Sequence, residues 1–385
     1  MLHVAKLPAG PHGWGRGKME DRAMNSSIRD HRPAGGDPYG VRFEPLENRL
    51  LLSGDVTAVV ADDGSLTLTG DSQDNAILID MVGTGSGEIR VSSGDGSTTI
   101  NGQTGPVILS GLTGVVDAKM GKGADSVTVN SAVLPGSLLI DGGDGDTTVT
   151  LSKSQVAGDL FVSGRNGNGT VGLALSGVTG QVAVQHGNGN LSVAAAMSSI
   201  GGSLQVLGRK GYDQVFLTGY VTIGGDVDLD LRDGGSRLTL FQAFMGGQLN
   251  IRATKGADEI LLNTATVAGD IRIDTGDDAD GIDIMDLTAS AGVSIDTGKG
   301  DDTVDVETGG MPYGLRTTIA GLLDIDTSDG NDTITIGVAG VDAWSANLNG
   351  GATIDGGRGN DTLDWNDNGN TVTGPTLVVD VESIL

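Results

Sequence analysis

Apolar residues spaced two apart recur along this chain with a beat of 22 residues. Val127 with Val129, Val149 with Leu151, Val171 with Leu173, Val193 with Ala195 and Val215 with Leu217 begin a series that ends at Leu363 with Trp365. Apolar positions at i and i+2 with polar or small residues between them are the period of a strand with one buried face. A second such pair recurs with the same beat: Leu138 with Ile140, Leu160 with Val162, Val182 with Val184, Leu204 with Val206, continuing to Leu323 with Ile325. Just ahead of it stands a lone apolar residue, as at Leu134, Val156, Val178 and Ile200. Each unit therefore predicts two strands and a short third side.

A turn rich in Gly and Asp separates the second pair from the next first pair. Its last residue, the anchor of the unit, falls at Asp125, Thr147, Gly169, Leu191, Asp213, Ser236, Asp258, Asp280, Asp302, Asp332 and Asp361. The steps are 22 or 23 residues until the last two, which are 30 and 29. Those two fit loops thrown out at 309–316 and 341–347. No single unit buries its own apolar face, so the units must stack. The fold expected is all-β: a right-handed parallel β-helix (β-solenoid) of about eleven 22-residue coils with an irregular N-terminal cap. At a strand spacing of about 4.8 Å the stack is on the order of 50 Å long. Glycine precedes the second pair in nearly every unit, as at Gly114, Gly136 and Gly158, which suggests a corner with positive φ.

The pattern divides the chain into a leader at 1–40, a short motif at 41–54, irregular capping coils at 55–110, the regular coils at 111–373 and a C-terminal strand or tail at 374–385. With 66 glycines, no cysteine and 3% aromatics, the composition fits a glycine-cornered solenoid and excludes a disulfide framework. The net charge is −27, and residues 1–50 hold 8 Lys and Arg with 6 Asp and Glu, leaving 15 and 44 for the rest. So acidic a body repels nucleic acid and anionic membrane and attracts cations. No apolar run is long enough to span a bilayer, and the basic leader lacks the apolar core of a secretory signal.

Residues 43–53 read Phe-Glu-Pro-Leu-Glu-Asn-Arg-Leu-Leu-Leu-Ser. Through Phe43, Leu46, Glu47, Arg49, Leu51 and Leu52 this segment resembles the LEPR-XLL motif near the N-terminus of many surface proteins of planctomycetes, although Pro45 precedes the Leu-Glu pair instead of following it. The resemblance implies a sorting signal and export to the cell surface or beyond. On the residues alone, the Leu triplet serves equally to cover the open end of the stack.

The turns at 141–146, 296–302, 326–332 and 355–361 resemble the G-G-x-G-x-D repeat of RTX, or hemolysin-type, proteins. That resemblance implies Ca²⁺ held between turns of adjacent coils, by carbonyls and by the anchors Asp258, Asp280, Asp302, Asp332 and Asp361, with an affinity of roughly 0.1 to 1 mM. Asp274, Asp296, Asp326 and Asp355 form a second column six residues earlier. Stacked carboxylates repel by about 1 kcal/mol in water and by several at an effective dielectric near 20, so such columns either splay or share ions. Two features depart from the family: one such turn per coil instead of two, and no acid at Thr147, Gly169, Leu191 or Ser236. Any calcium therefore belongs mainly to the C-terminal half.

Parallel β-helices also host polysaccharide lyases and hydrolases. Tyr212, Phe216, Tyr220, Phe241 and Phe244 cluster in adjacent coils and offer stacking surfaces for sugar rings, with Arg209, Lys210, Arg232, Arg237 and Arg252 nearby. His186 is the one histidine after the leader, and no Ser-His-Asp, P-loop or zinc pattern stands out. The outward column from Thr128 to Asp364 is too broken for an ice-binding face. The expectation is an exported structural or adhesive solenoid, not an enzyme, binding Ca²⁺ in its turns. Its partners would be cell-surface polysaccharide or other surface proteins. A carbohydrate-binding or carbohydrate-degrading β-helix is the alternative.

Overall fold

The computed structural model describes residues 54–82, 88–308, 316–337, 345–366 and 369–385. The leader, the motif residues Phe43, Leu46, Glu47, Arg49, Leu51 and Leu52, and most of the two expected loops lie outside the described residues.

One coil consists of the strands Asp125–Asn130, Val133–Leu134 and Leu138–Asp141, closed by the glycine turn. The next repeats it as Thr147–Ser152, Gln155–Val156 and Leu160–Asn166. Pairing between them is parallel and offset by one unit: Val149 lies opposite Val127, Val156 opposite Leu134, and Leu160 opposite Leu138. Like residues therefore stand over like. The same register continues to Leu363 over Ile334 and Ile354 over Ile325. The chain is a parallel β-solenoid, and among the described residues it contains no helix. Among the described residues no helix is long and apolar enough to cross a membrane.

The core is the set of columns that the period-two pattern identifies. Val127, Val149, Val215, Leu262 and Val306 are 0–1% exposed, as are Leu134, Val156 and Val267 on the short side. Two buried columns from each long strand and one from the short side fill the coil interior with aliphatic side chains, and Trp365 packs half-buried against them. Both long steps leave the coil intact: Thr303–Glu307 pairs with Thr333–Ile336, and Thr317–Ile319 with Ala346–Leu348, on either side of the insertions.

The irregular N-terminal segment caps the stack. Leu66–Thr69 and Ala76–Met81 continue the parallel sheets onto Val116–Lys119 and Asp125–Asn130. Their other edges are closed by antiparallel strands, Asp55–Val60 on the first and Glu88–Ser93 on the second. Antiparallel closure ends a growing edge, which is how solenoids avoid end-to-end pairing. At the other end the tail extends the helix: Thr376–Val379 pairs with Ala352–Asp355, and Ser383–Ile384 with Thr362–Trp365.

The corner glycines have a different cause from the one expected. Gly114, Gly136, Gly158 and their equivalents are absent from the residues with positive φ. They are small because successive coils touch there: a Cβ at Gly136 would stand 2.4 Å from the Gly114 carbonyl oxygen, and one at Gly202 3.0 Å from that of Gly180. Positive φ falls at the other corner, on Ser131, Lys153, Leu175, Met197, Tyr220, Gln242, Thr264 and Asp286. A left-handed conformation costs a residue with a Cβ roughly 1–2 kcal/mol. Leu175 adopts φ 52° there and is 49% exposed, so its side chain returns little burial. Leu175→Asn, which tolerates this conformation better, is expected to raise stability by up to about 1 kcal/mol, read as a higher midpoint in thermal melts. A lower midpoint would mean that the leucine makes a stabilising contact.

Candidate functional site

The turns carry the chemistry, and their backbone hydrogen bonds follow a simple rule. Where the next coil has an acid at the anchor, its carboxylate accepts the N–H of the anchor below. Thus Asp258 accepts from Ser236 at 2.6 Å, Asp280 from Asp258 at 2.8 Å, Asp302 from Asp280 at 2.8 Å, Asp332 from Asp302 at 2.8 Å and Asp361 from Asp332 at 2.8 Å. The Glu382 carboxylate ends the series by accepting from Asp361. Asp125 and Asp213 do the same for Asn75 and Leu191. Where the next anchor is not an acid, a backbone carbonyl takes the bond: Asp125 donates to Asp146, Thr147 to Asn168, Gly169 to Asn190 and Asp213 to Gly235.

Two consequences follow in the C-terminal coils. The second carboxylate oxygen, Oδ2, of Asp258, Asp280, Asp302, Asp332 and Asp361 is buried and has no hydrogen-bond partner, as at the isolated anchors Asp125 and Asp213, and all seven residues are 1–4% exposed. Meanwhile the carbonyl oxygens of Gly300, Asp301, Gly330 and Asn331 take no backbone hydrogen bond from the described residues. Thr275, Thr297 and Thr327 lie beside the carboxylates of Asp280, Asp302 and Asp332. Their hydroxyls instead donate to carbonyls of the next turn, Thr297, Thr327 and Gly356. Buried carboxylate oxygens without donors are thereby stacked in a line through successive coils, and the unbonded carbonyls belong to the half-buried or exposed residues just before each anchor.

Burial dominates the electrostatics of this line. Loss of hydration pushes Asp258 up to about 7 and Asp125, Asp213, Asp280 and Asp332 up to about 6. It raises Asp302 and Asp361 as well. The hydrogen bonds that each carboxylate accepts only partly offset this.

The outer column behaves differently. Asp326 and Asp355 accept from the N–H two residues on, Ser328 at 3.1 Å and Gly357 at 3.0 Å, and so open the turn. Asp274 is 3.9 Å from the Arg252 guanidinium. Asp296 is raised by burial first and then by its neighbours Asp274 and Asp326. The anchors are buried and these residues are half-buried or exposed, so the two columns occupy different sides of the turn. Among the described residues no three His, Cys, Asp or Glu side chains converge on a single point.

A third column, not among the sequence expectations above, runs beside these two. Three residues before the anchors, Lys210, Asp233, Lys255, Asp277, Lys299, Asp329 and Arg358 alternate in sign, each bridged in parallel to the next. Lys299 lies 3.1 Å from Asp277 and Arg358 3.7 Å from Asp329. Exposed pairs like these contribute little stability singly, but every second coil supplies the opposite charge, which favours this register over a shifted one. The signal is a fixed offset with alternating charge.

The aromatic residues scatter. Phe216 and Phe241 share one face in adjacent coils, since Phe241 lies opposite Thr218. Tyr212 is in the turn before the strand Asp213–Ile223, Tyr220 on the positive-φ bend within it, and Phe244 opposite Thr222 beyond the bend. His186 is buried under a turn, its Nε2 2.8 Å from the Gly167 carbonyl oxygen, in space left by Gly164 and Gly169. It fills the central turns where anchor acids are missing. No family model matches the chain, and neither a curated protein nor a solved structure matches it.

Because the anchor carboxylates hold protons in the folded state at a pH where unfolded ones have ionised, folding binds protons between the ordinary carboxylate range and about pH 6 to 7. Stability in EDTA is therefore expected to fall as pH rises through that window. Melting midpoints measured from about pH 5 to about pH 8 should decline, and Asp280→Asn with Asp332→Asn should flatten the slope. An unchanged slope in that double variant would contradict the assignment.

Proposed function

We propose that this chain is an exported, surface-associated structural solenoid whose C-terminal turns are stiffened by Ca²⁺. The observation that carries the reading is the line of buried, unpartnered Oδ2 atoms at Asp258, Asp280, Asp302, Asp332 and Asp361. An ionised carboxylate buried without a partner is costly, and a bound cation removes that cost. The donor set suits calcium: carboxylate, carbonyl and hydroxyl oxygens, with neither nitrogen nor sulfur. Asp280, Asp302, Asp332 and Asp361 would hold the ions, with carbonyls such as those of Gly300, Asp301, Gly330 and Asn331 completing the shell. Bound there, Ca²⁺ supplies positive charge and cross-links between turns; the chain supplies the spacing. The RTX resemblance of the same turns and the LEPR-XLL-like segment support the calcium and export parts of this reading.

A spacer or adhesive role is favoured over catalysis. The acids are distributed as ladders along the stack, and an enzyme's acid and base instead face one substrate position. Calcium is expected to raise the melting midpoint of the full chain by several degrees or more at millimolar concentration, since ligands that bind only the folded state stabilise it by mass action. Magnesium should do much less, because it accepts only a compact octahedral shell. Asp302→Asn with Asp332→Asn should remove most of the gain and Asp296→Asn little of it. An equal response to the two metals, or none to calcium, overturns the proposal.

A further inference from the structure

Between Asp159 and Asp213 the chain contains no Asp or Glu, so the 44 acids of residues 51–385 all lie outside this stretch. Wrapped into the solenoid, it makes a neutral-to-basic belt a little over two coils wide, bordered on one side by Asp141, Asp144, Asp146 and Asp159 and on the other by Asp226, Asp228, Asp230 and Asp233. The belt also has a shaped feature. Arg165, Gly187 and Arg209 stand in one column, four residues before successive anchors, as the pairings of Asn166 with Asn188 and of Asn188 with Lys210 require. Two arginines about 10 Å apart, by strand spacing, thus flank a glycine. Side chains are excluded from that gap, since a Cβ at Gly187 would meet the Arg165 carbonyl oxygen at 2.1 Å. The result is a cleft of ≈ 420 Å³ between the guanidiniums, edged by Gln185 and Asn188.

Its cations are available. Arg209 and Lys210 are exposed and have no ion pair among the described residues, and Arg165 has only an exposed contact of 3.7 Å with Asp141. The Gln185 amide makes no side-chain hydrogen bond among the described residues. Asn188 donates to Asn166 at 2.9 Å, and its own carbonyl oxygen accepts no hydrogen bond from the described residues.

We infer that this cleft binds a carboxylated polysaccharide, a chain of uronic-acid rings lying across the solenoid axis. Guanidinium forks pair with carboxylates, while Gln185 and Asn188 present an amide donor and an acceptor suited to ring hydroxyls. A ligand running along the axis would meet acids on both sides, so the belt selects a crossing strand. It also disfavours nucleic acid, which carries a phosphate every 3.4 Å per strand and depends on several basic contacts; the belt supplies Arg165, Arg209 and Lys210. The inference is independent of the calcium reading.

The test is titration of the full chain in EDTA, which prevents calcium from bridging uronates to the Asp turns. The titrants are oligogalacturonate, a neutral oligosaccharide of equal length and a single-stranded oligonucleotide. Wild type is expected to bind the uronate only, with affinity falling as salt is raised. Arg165→Gln with Arg209→Gln should weaken binding at least about tenfold, the loss of one or two charge-assisted bonds. Both side chains are exposed, so an unchanged melting midpoint will show that the variant is folded. Absence of uronate binding, undiminished binding by the double variant, or equal binding of the neutral sugar or the oligonucleotide overturns the inference.

Discussion

Parallel coils keep their register only if the turn N–H groups find acceptors in the neighbouring coils, because the turns lie where the regular sheet ladder is interrupted. For the anchor N–H that acceptor lies in the coil above. Two kinds of acceptor meet this demand, an anchor carboxylate or a main-chain carbonyl, and the sequence of the next coil decides which. Side-chain ladders elsewhere do the same work. Ser154 and Ser176 accept from Ala132 and Ser154 at the positive-φ corner, and Asp146, Asn168 and Asn190 relay bonds from coil to coil on the turn. Interlocked columns of this type, added to the aliphatic core, make each coil depend on its neighbours, which is the stability logic of a one-dimensional array.

The choice of acceptor sorts the solenoid into two chemical regions. Using a carboxylate frees a carbonyl and buries a charge, so the C-terminal coils accumulate oxygens that suit a hard cation and acids whose protons are held unusually tightly. Using a carbonyl needs no charge, and the central coils fill the space with His186, Leu191 and glycine. In the same coils the exposed turn positions are Asn, Arg and Lys instead of acids, which leaves Arg165 and Arg209 beside a glycine gap. On the proposed reading, one repeat supplies both a stiffened segment and a segment open to an anionic ligand.

The coil architecture was legible because both signals that specify it, period two and the 22-residue beat, are sequence-local and repeat many times. The buried partners of Val127, Leu138 and Leu134 could be named from spacing alone. Corner glycines such as Gly136 were correctly located but attributed to dihedral freedom, since a close approach between coils involves an atom one repeat away and leaves no local trace. The anchor acids were correctly placed in a column. Their inward direction, the half-exposed setting of Asp296 and the separation of the two columns depend on how the turn folds over the coil below. Spacing gives no direction for Tyr212 and Tyr220, which the structure sets in the turn before the strand Asp213–Ile223 and on the bend within it.

Anomalous scattering from crystals grown with CaCl₂ tests the central claim most directly, because it locates the ions. The account predicts density between successive turns of the Asp280, Asp302, Asp332 and Asp361 coils and none between those of Thr147, Gly169 and Leu191. Density confined to the outer column of Asp274, Asp296, Asp326 and Asp355, or no ordered calcium at all, would contradict it.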